Sequence, residues 1–280
     1  MNTIIGNTDS HSRIDHNSLS RLIREINRNE NILEVLLGLD VETGAQIDFW
    51  KKDILVSVGV SAVGVEKKPD TNECSIKVFH KQRFTPPFNT VNFDEVTMKE
   101  YWSRPEQQEQ LKVFRQEIYP SVVACMNDVF TYIELFRRNL DETRFKVKIV
   151  TDFPEFDVSW TDVYGIMYGA RGNNLTLARS IDPFEDNTSE RKPSYIGSSI
   201  PATGVMYEMT LLGLLVNANN RSEISKYRET HHVVDTLMFA LGIDNSKCTE
   251  VHDHYPENDA AECAVKYLMI RYAMKGYKIA

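Results

Sequence analysis

The chain has 280 residues, 42% of them hydrophobic and 26% charged, with a formal net charge of -8. That composition excludes a disordered or fibrous chain and leaves enough apolar material for one large α/β domain or one domain with insertions. The acidity argues against a passive nucleic-acid coat, which gains affinity by replacing counterions with Lys and Arg. It does not exclude an enzyme whose carboxylates gather divalent cations, because the ions reverse the charge that a phosphate meets.

The polar start MNTIIGNTDSHSRIDHNS lacks the apolar core of a signal peptide, and no run reaches the roughly 20 apolar residues that cross a bilayer. Cys74, Cys125, Cys248 and Cys263 form no CxxC pair, so neither a zinc ribbon nor a disulfide framework is expected. Together these point to a reducing, cytoplasmic setting and no membrane contact.

Residues 1 to about 30 are rich in Asn, Ser, Arg and His, with a short amphipathic stretch at Leu19 to Ile26, and are expected to form an extension before the domain at 31–280. Ile32 to Leu39, ending in Asp40, predicts a first strand; the Val, Ile and Ala density of Ile54 to Val65 predicts a buried second. Ser75 to His80 alternates as a third. Short polar connections favour an antiparallel meander with the first strand central.

Helices are predicted over Asp94 to Ser103 and over Glu106 to Arg138, the latter broken near Pro120. Phe145 to Thr151 predicts a fourth strand, followed by a loop that enters a helix between Asp157 and Tyr168. Residues 169–225 contain GARGNN, a polar stretch and an apolar run at Met206 to Val216, and are expected to form an insertion. GARGNN lacks the Lys-Ser/Thr ending of a phosphate loop. Two closing helices are predicted near Ser222 to Leu241 and from Asp259 to about Met274. The element order is that of an α/β mixed sheet flanked by helices.

Three segments carry chemistry. In Leu39-Asp40-Val41-Glu42-Thr43-Gly44 the strand period of two puts Asp40 and Glu42 on one side, where the pair either faces solvent or holds a cation. Asp157 follows the fourth strand as a helix cap or as a carboxylate aimed at a cleft, with Asp152 a competing acid nearby. In His252-Asp253-His254-Tyr255-Pro256-Glu257-Asn258-Asp259, Asp259 is a cap or a ligand at a helix start, and His254 is a solvated loop side chain or a general base.

Taken in order, these segments resemble the three motifs of the DEDD exonuclease superfamily, and His254 with Asp259 resembles its histidine-bearing branch. Thr97 to Trp102, as Thr-Met-Lys-Glu-Tyr-Trp, and the closing run Asp259 to Met274 are similar to the phage T4 exodeoxyribonuclease A type. The resemblance spans roughly residues 35 to 275, with no matching motif in 169–225. Tyr255 stands where the tyrosine-bearing branch carries its catalytic residue, and both assignments stay open here.

The resemblance implies a ribonuclease-H-like fold and a 3′-to-5′ exonuclease that releases mononucleotides from single-stranded DNA or RNA 3′ ends, with DNA favoured. It implies two divalent cations, Mg²⁺ or Mn²⁺. Asp40 would bridge the ions, Glu42 and Asp259 would bind the one that activates water, and His254 would take the proton. Asp157 would act near the other ion, and Thr43 would contact the terminal nucleotide. Phe156, Trp160, Tyr101 and Trp102 are the aromatics near the motifs, with Trp102 expected in the core. A phage-encoded chain would work in the host cytoplasm.

Two rivals remain at this stage. One is a silent binding module of the same fold, with a protein partner held through the N-terminal extension or the 169–225 insertion. The other is an all-helical phosphohydrolase using His231 or His232, His252-Asp253 and Asp259, which requires helices throughout.

Overall fold

The computed structural model describes residues 12–45, 54–145, 147–151, 154–167 and 203–280. Its centre is a mixed five-stranded sheet in the order β4-β1-β2-β3-β5. Strands β1 (Ile32–Thr43), β2 (Leu55–Lys67) and β3 (Glu73–Phe84) form the expected antiparallel meander, with β1 inside the sheet. β4 (Lys148–Val150) joins β1 in parallel, and β5 (Lys278–Ile279) joins β3 in parallel. This sheet overturns the all-helical reading.

Alternation along β1 divides the molecule into layers. Val35, Leu37, Leu39 and Val41 enter a core formed with α1 (His16–Arg28), α4 (Val122–Asn139) and α5 (Pro154–Met167). Leu36 enters a second core beneath α6 (Thr203–Asn217), α7 (Arg221–Arg228), α8 (Val233–Ala240) and α9 (Pro256–Met274). Because the period is two, Gly38, Asp40 and Glu42 share the α9 side with Leu36.

The N-terminal stretch contributes α1, which Asp15 caps by accepting from the backbone amides of Asn17 and Ser18. Leu19, Ile23 and Ile26 recur at helical spacing and are all buried in the first core. Asn27 donates to the Asn139 carbonyl at 2.8 Å, joining the end of α1 to the end of α4.

Several boundaries differ from expectation. The expected fourth strand is only three residues long, because a turn held by Asp141 leads into Phe145, which is buried in the core. The single helix expected near Ser222 to Leu241 is split between α7 and α8. His231 stacks on Tyr227 with ring centroids 3.6 Å apart, and His232 is extended, with ψ 154°. The region 94–103 contains a one-turn helix α2 (Glu95–Thr97) that continues into a π turn at Met98–Trp102, and α3 (Pro105–Gln116) follows.

GARGNN, Asp152 and the polar stretch at 182–192 lie outside the described residues. Cys74, Cys125, Cys248 and Cys263 are free thiols. Among the described residues no helix is long and apolar enough to cross a membrane.

Candidate functional site

Two glycines let α9 lie directly on the sheet. A Cβ at Gly38 would sit 1.9 Å from the Ala260 carbonyl oxygen, and one at Gly59 would sit 2.0 Å from the Pro256 carbonyl carbon. Ser61, two residues along β2 from Gly59, donates its hydroxyl to the Glu257 carbonyl at 2.6 Å. The first turn of α9 is therefore pinned over the end of β1 that carries the acid pair. One carboxylate oxygen each from Asp40, Glu42 and Asp259 lies within 4.8 Å of the others.

These acids line a cleft of about 300 Å³, together with Thr43, Asp157, His252 and His254. The register of β1 against β2 shifts between Glu42 and Thr43, a bulge that redirects the strand at the cleft. Trp102 is fully buried, as expected, and its indole N–H donates to the Thr43 carbonyl at 3.0 Å, which fixes this end of β1. The preceding residue of the π turn, Tyr101, reaches the cleft, with its hydroxyl 3.5 Å from Glu42 Oε2. π turns often mark functional sites.

Asp259 is neither the start nor the cap of its helix. α9 begins at Pro256 after Tyr255, and Asp259 sits in its first turn. Its carboxylate accepts from the backbone amides of Asp253 at 3.0 Å and His254 at 3.1 Å, so it folds the preceding loop over itself. His254 adopts φ 62°, a left-handed conformation that costs a non-glycine residue about 1–2 kcal/mol. The result places His254 Nδ1 3.9 Å from Asp259 Oδ2.

Tyr255 points elsewhere. Its ring meets Phe114 edge-on, with centroids 5.7 Å apart, and the Arg83 guanidinium lies 5.5 Å from its centroid. Of the two residues left open by the sequence, only His254 lines the cleft.

Asp157 is placed by α5, not by a loop before it; it lies in the first helical turn and is 3% exposed. Thr151 at the end of β4 donates its hydroxyl to the Asp157 carboxylate. Asp157 lines the cleft but stands outside the close group of three acids. Phe156 also lines the cleft, whereas Trp160, the other aromatic beside this motif, is buried in the core.

His252 was not singled out for this site by its sequence position. Its Nδ1 lies 3.3 Å from Asp259 Oδ2 and 3.7 Å from Glu262 Oε2. Part of the signal lay in the spacing: Glu262 follows Asp259 by three, which aligns the two on a helix. Thr151 was likewise legible only as a strand end.

The crowding of carboxylates sets the electrostatics. Burial first, and the charge of Asp259 second, push Glu42 from its ordinary 4.5 up to about 8. Burial also raises Asp259 from 3.8 to about 6. Burial and then His252 hold His254 below the usual imidazole value, so it is neutral and able to accept a proton at neutral pH. Three close oxygen donors that resist joint ionisation could hold a divalent cation, whose charge would offset theirs.

A pH dependence follows from the two raised carboxyls. Between their ordinary and raised values the folded chain holds more protons than the unfolded one, so stability falls as pH rises. Their contribution is complete below the ordinary carboxyl range and is lost as pH passes about 8, the raised value of Glu42. Metal-free protein is expected to melt at a higher temperature at about pH 6 than at about pH 9, with Mn²⁺ stabilising it much more at the higher pH. Calorimetry at both pH values, with EDTA or Mn²⁺, checks this; equal Mn²⁺ stabilisation at both would contradict it.

No protein-family model matches this chain, and no curated protein matches it.

Proposed function

We propose that this chain is a metal-dependent 3′-to-5′ exonuclease of the ribonuclease-H-like fold that trims single-stranded nucleic acid, with DNA favoured, to mononucleotides. The observation that carries the reading is the convergence on one cleft of Asp40, Glu42, Asp157, Asp259 and His254, five residues drawn from three distant segments. An antiparallel meander with β1 internal and β4 parallel to it supports the fold part of the reading. The preference for DNA rests on the sequence resemblance alone.

Asp40, Glu42 and Asp259 would hold the cations, with Asp157 acting beside them. Bound divalent cations supply charge neutralisation for the phosphodiester and lower the pKa of water. The remaining work belongs to the side chains. His254, neutral and held against Asp259, accepts the proton of the attacking water. Asp259, gripped by the backbone amides of Asp253 and His254, holds the loop that carries the imidazole. Thr43 at the bulge and the rings of Tyr101 and Phe156, all lining the cleft, would hold the terminal nucleotide, and stacking on such rings tolerates any base. Such an enzyme would prefer an unpaired 3′ end, because a frayed strand can reach a cleft that a duplex cannot.

Single-turnover cleavage of a 3′-labelled DNA strand separates His254 from its neighbour. His254→Gln is expected to slow the chemical step by about 10²–10⁴-fold, as loss of a general base does. Tyr255→Phe, which keeps the ring against Phe114, is expected to stay within about threefold of the parent. The reverse order would assign the proton transfer to Tyr255 and sink the role given to His254.

A further inference from the structure

The cleft contains a second donor set that shares only Asp259 with the acid triad. His252 and His254 both direct Nδ1 toward Asp259 Oδ2, at 3.3 and 3.9 Å, and one ligand atom from each of the three residues lies within 4.8 Å of the others. Tetrahedral Zn²⁺, with bonds of about 2.0–2.1 Å, places its donors roughly 3.3 Å apart. The His252 pair already has that separation, and closing the His254 pair takes a shift of about half an ångström. Two imidazoles with one carboxylate are a donor set for zinc and its neighbours in the transition series, not for Mg²⁺.

We infer that His252, His254 and Asp259 form a transition-metal site that takes Zn²⁺ in preference to Mg²⁺, with its fourth position open to the cleft. Glu262 Oε2 lies 3.7 Å from the same His252 Nδ1, a further carboxylate oxygen beside the donor set. Lys266 bonds the other Glu262 oxygen at 2.6 Å and Asp235 at 2.9 Å, which anchors the glutamate between α8 and α9.

Asp259 belongs to this set and to the acid triad, so the two sites compete for it. Resting on the nuclease reading, the consequence is inhibition: zinc removes His254 from proton transfer and Asp259 from the triad, and the enzyme stalls while Mg²⁺ remains in excess.

The test measures metal binding and needs no activity. Zn²⁺ is titrated against a chromophoric chelator in the full chain and in His252→Gln and Asp40→Asn, with circular dichroism confirming the fold of each. The His252 side chain is 52% exposed, so its replacement opens no cavity. The parent is expected to bind one Zn²⁺, His252→Gln to bind it about 10²-fold more weakly, and Asp40→Asn to stay within about fivefold. Zinc absorption-edge spectra are expected to show two imidazole neighbours in the parent. Undiminished binding by His252→Gln, or a larger loss in Asp40→Asn, would place zinc on the acid triad and overturn the inference. Zinc bound as described in a protein without nuclease activity supports the site and removes only its inhibitory consequence.

Discussion

Asp40→Asn is expected to lower metal-dependent nucleotide release by about 10³-fold or more, equivalent to about 4 kcal/mol of transition-state stabilisation. Asp40 sits on the internal strand β1 opposite Gly59 of β2 and shares its close group with Glu42 and Asp259. Asparagine keeps the shape and removes the charge, so the site loses cation affinity where cation and scissile phosphate must meet. Stability should move the other way. With one of three crowded carboxylates neutralised, metal-free protein at about pH 8 should melt at a higher temperature than the parent, and added Mn²⁺ should stabilise it less. Activity within about tenfold of the parent, in a variant with the parent's fold, would remove Asp40 from the mechanism.

The second large effect is structural. Gly59→Ala is expected to destabilise the protein by about 3–5 kcal/mol, because its Cβ would overlap the Pro256 carbonyl carbon at 2.0 Å, its oxygen at 2.1 Å and the Glu257 nitrogen at 2.2 Å. All three contacts are backbone, so no side chain can swing away. The first turn of α9 must lift, and the Ser61 bond to the Glu257 carbonyl goes with it. Asp259 then moves off Asp40 and Glu42, and a displacement of about 1 Å at a reacting centre can cost 10²-fold in rate. Urea unfolding measures the first effect; a loss below about 1 kcal/mol would mean that α9 is not held on the sheet at Gly59.

The parts of the site legible in the sequence are those fixed by local period. Alternation on β1 put Asp40 and Glu42 together, and the same alternation separates Leu39 and Val41 into the opposite core. Asp259 was legible as an acid near a helix start, but its partners were not. They depend on the loop curling back until the amides of Asp253 and His254 meet its carboxylate, with His254 at positive φ. The distinction between His254 and Tyr255 depended on Phe114 and Arg83, more than 140 residues away in the chain, which capture the Tyr255 ring.

Long-range packing also decided the aromatics. Trp102 and Trp160 are both buried, one with its N–H on the Thr43 carbonyl and the other in the α5 core, while Tyr101 and Phe156 beside them line the cleft. Helix limits were least legible where polar sequence carries no strong break. The α7–α8 split arises at Tyr227 and His231, whose stacking no periodicity predicts.

The most direct test follows one DNA strand labelled at its 3′ end and the same strand labelled at its 5′ end, alongside RNA equivalents, incubated with the protein and Mg²⁺, Mn²⁺ or EDTA. The proposed exonuclease releases labelled mononucleotide at once from the 3′-labelled strand and shortens the 5′-labelled strand one residue at a time, with either metal and not with EDTA. Folded protein that leaves DNA and RNA intact with both metals, or that releases nucleotides first from the 5′ end, would contradict the reading of this cleft as a 3′-to-5′ exonuclease site.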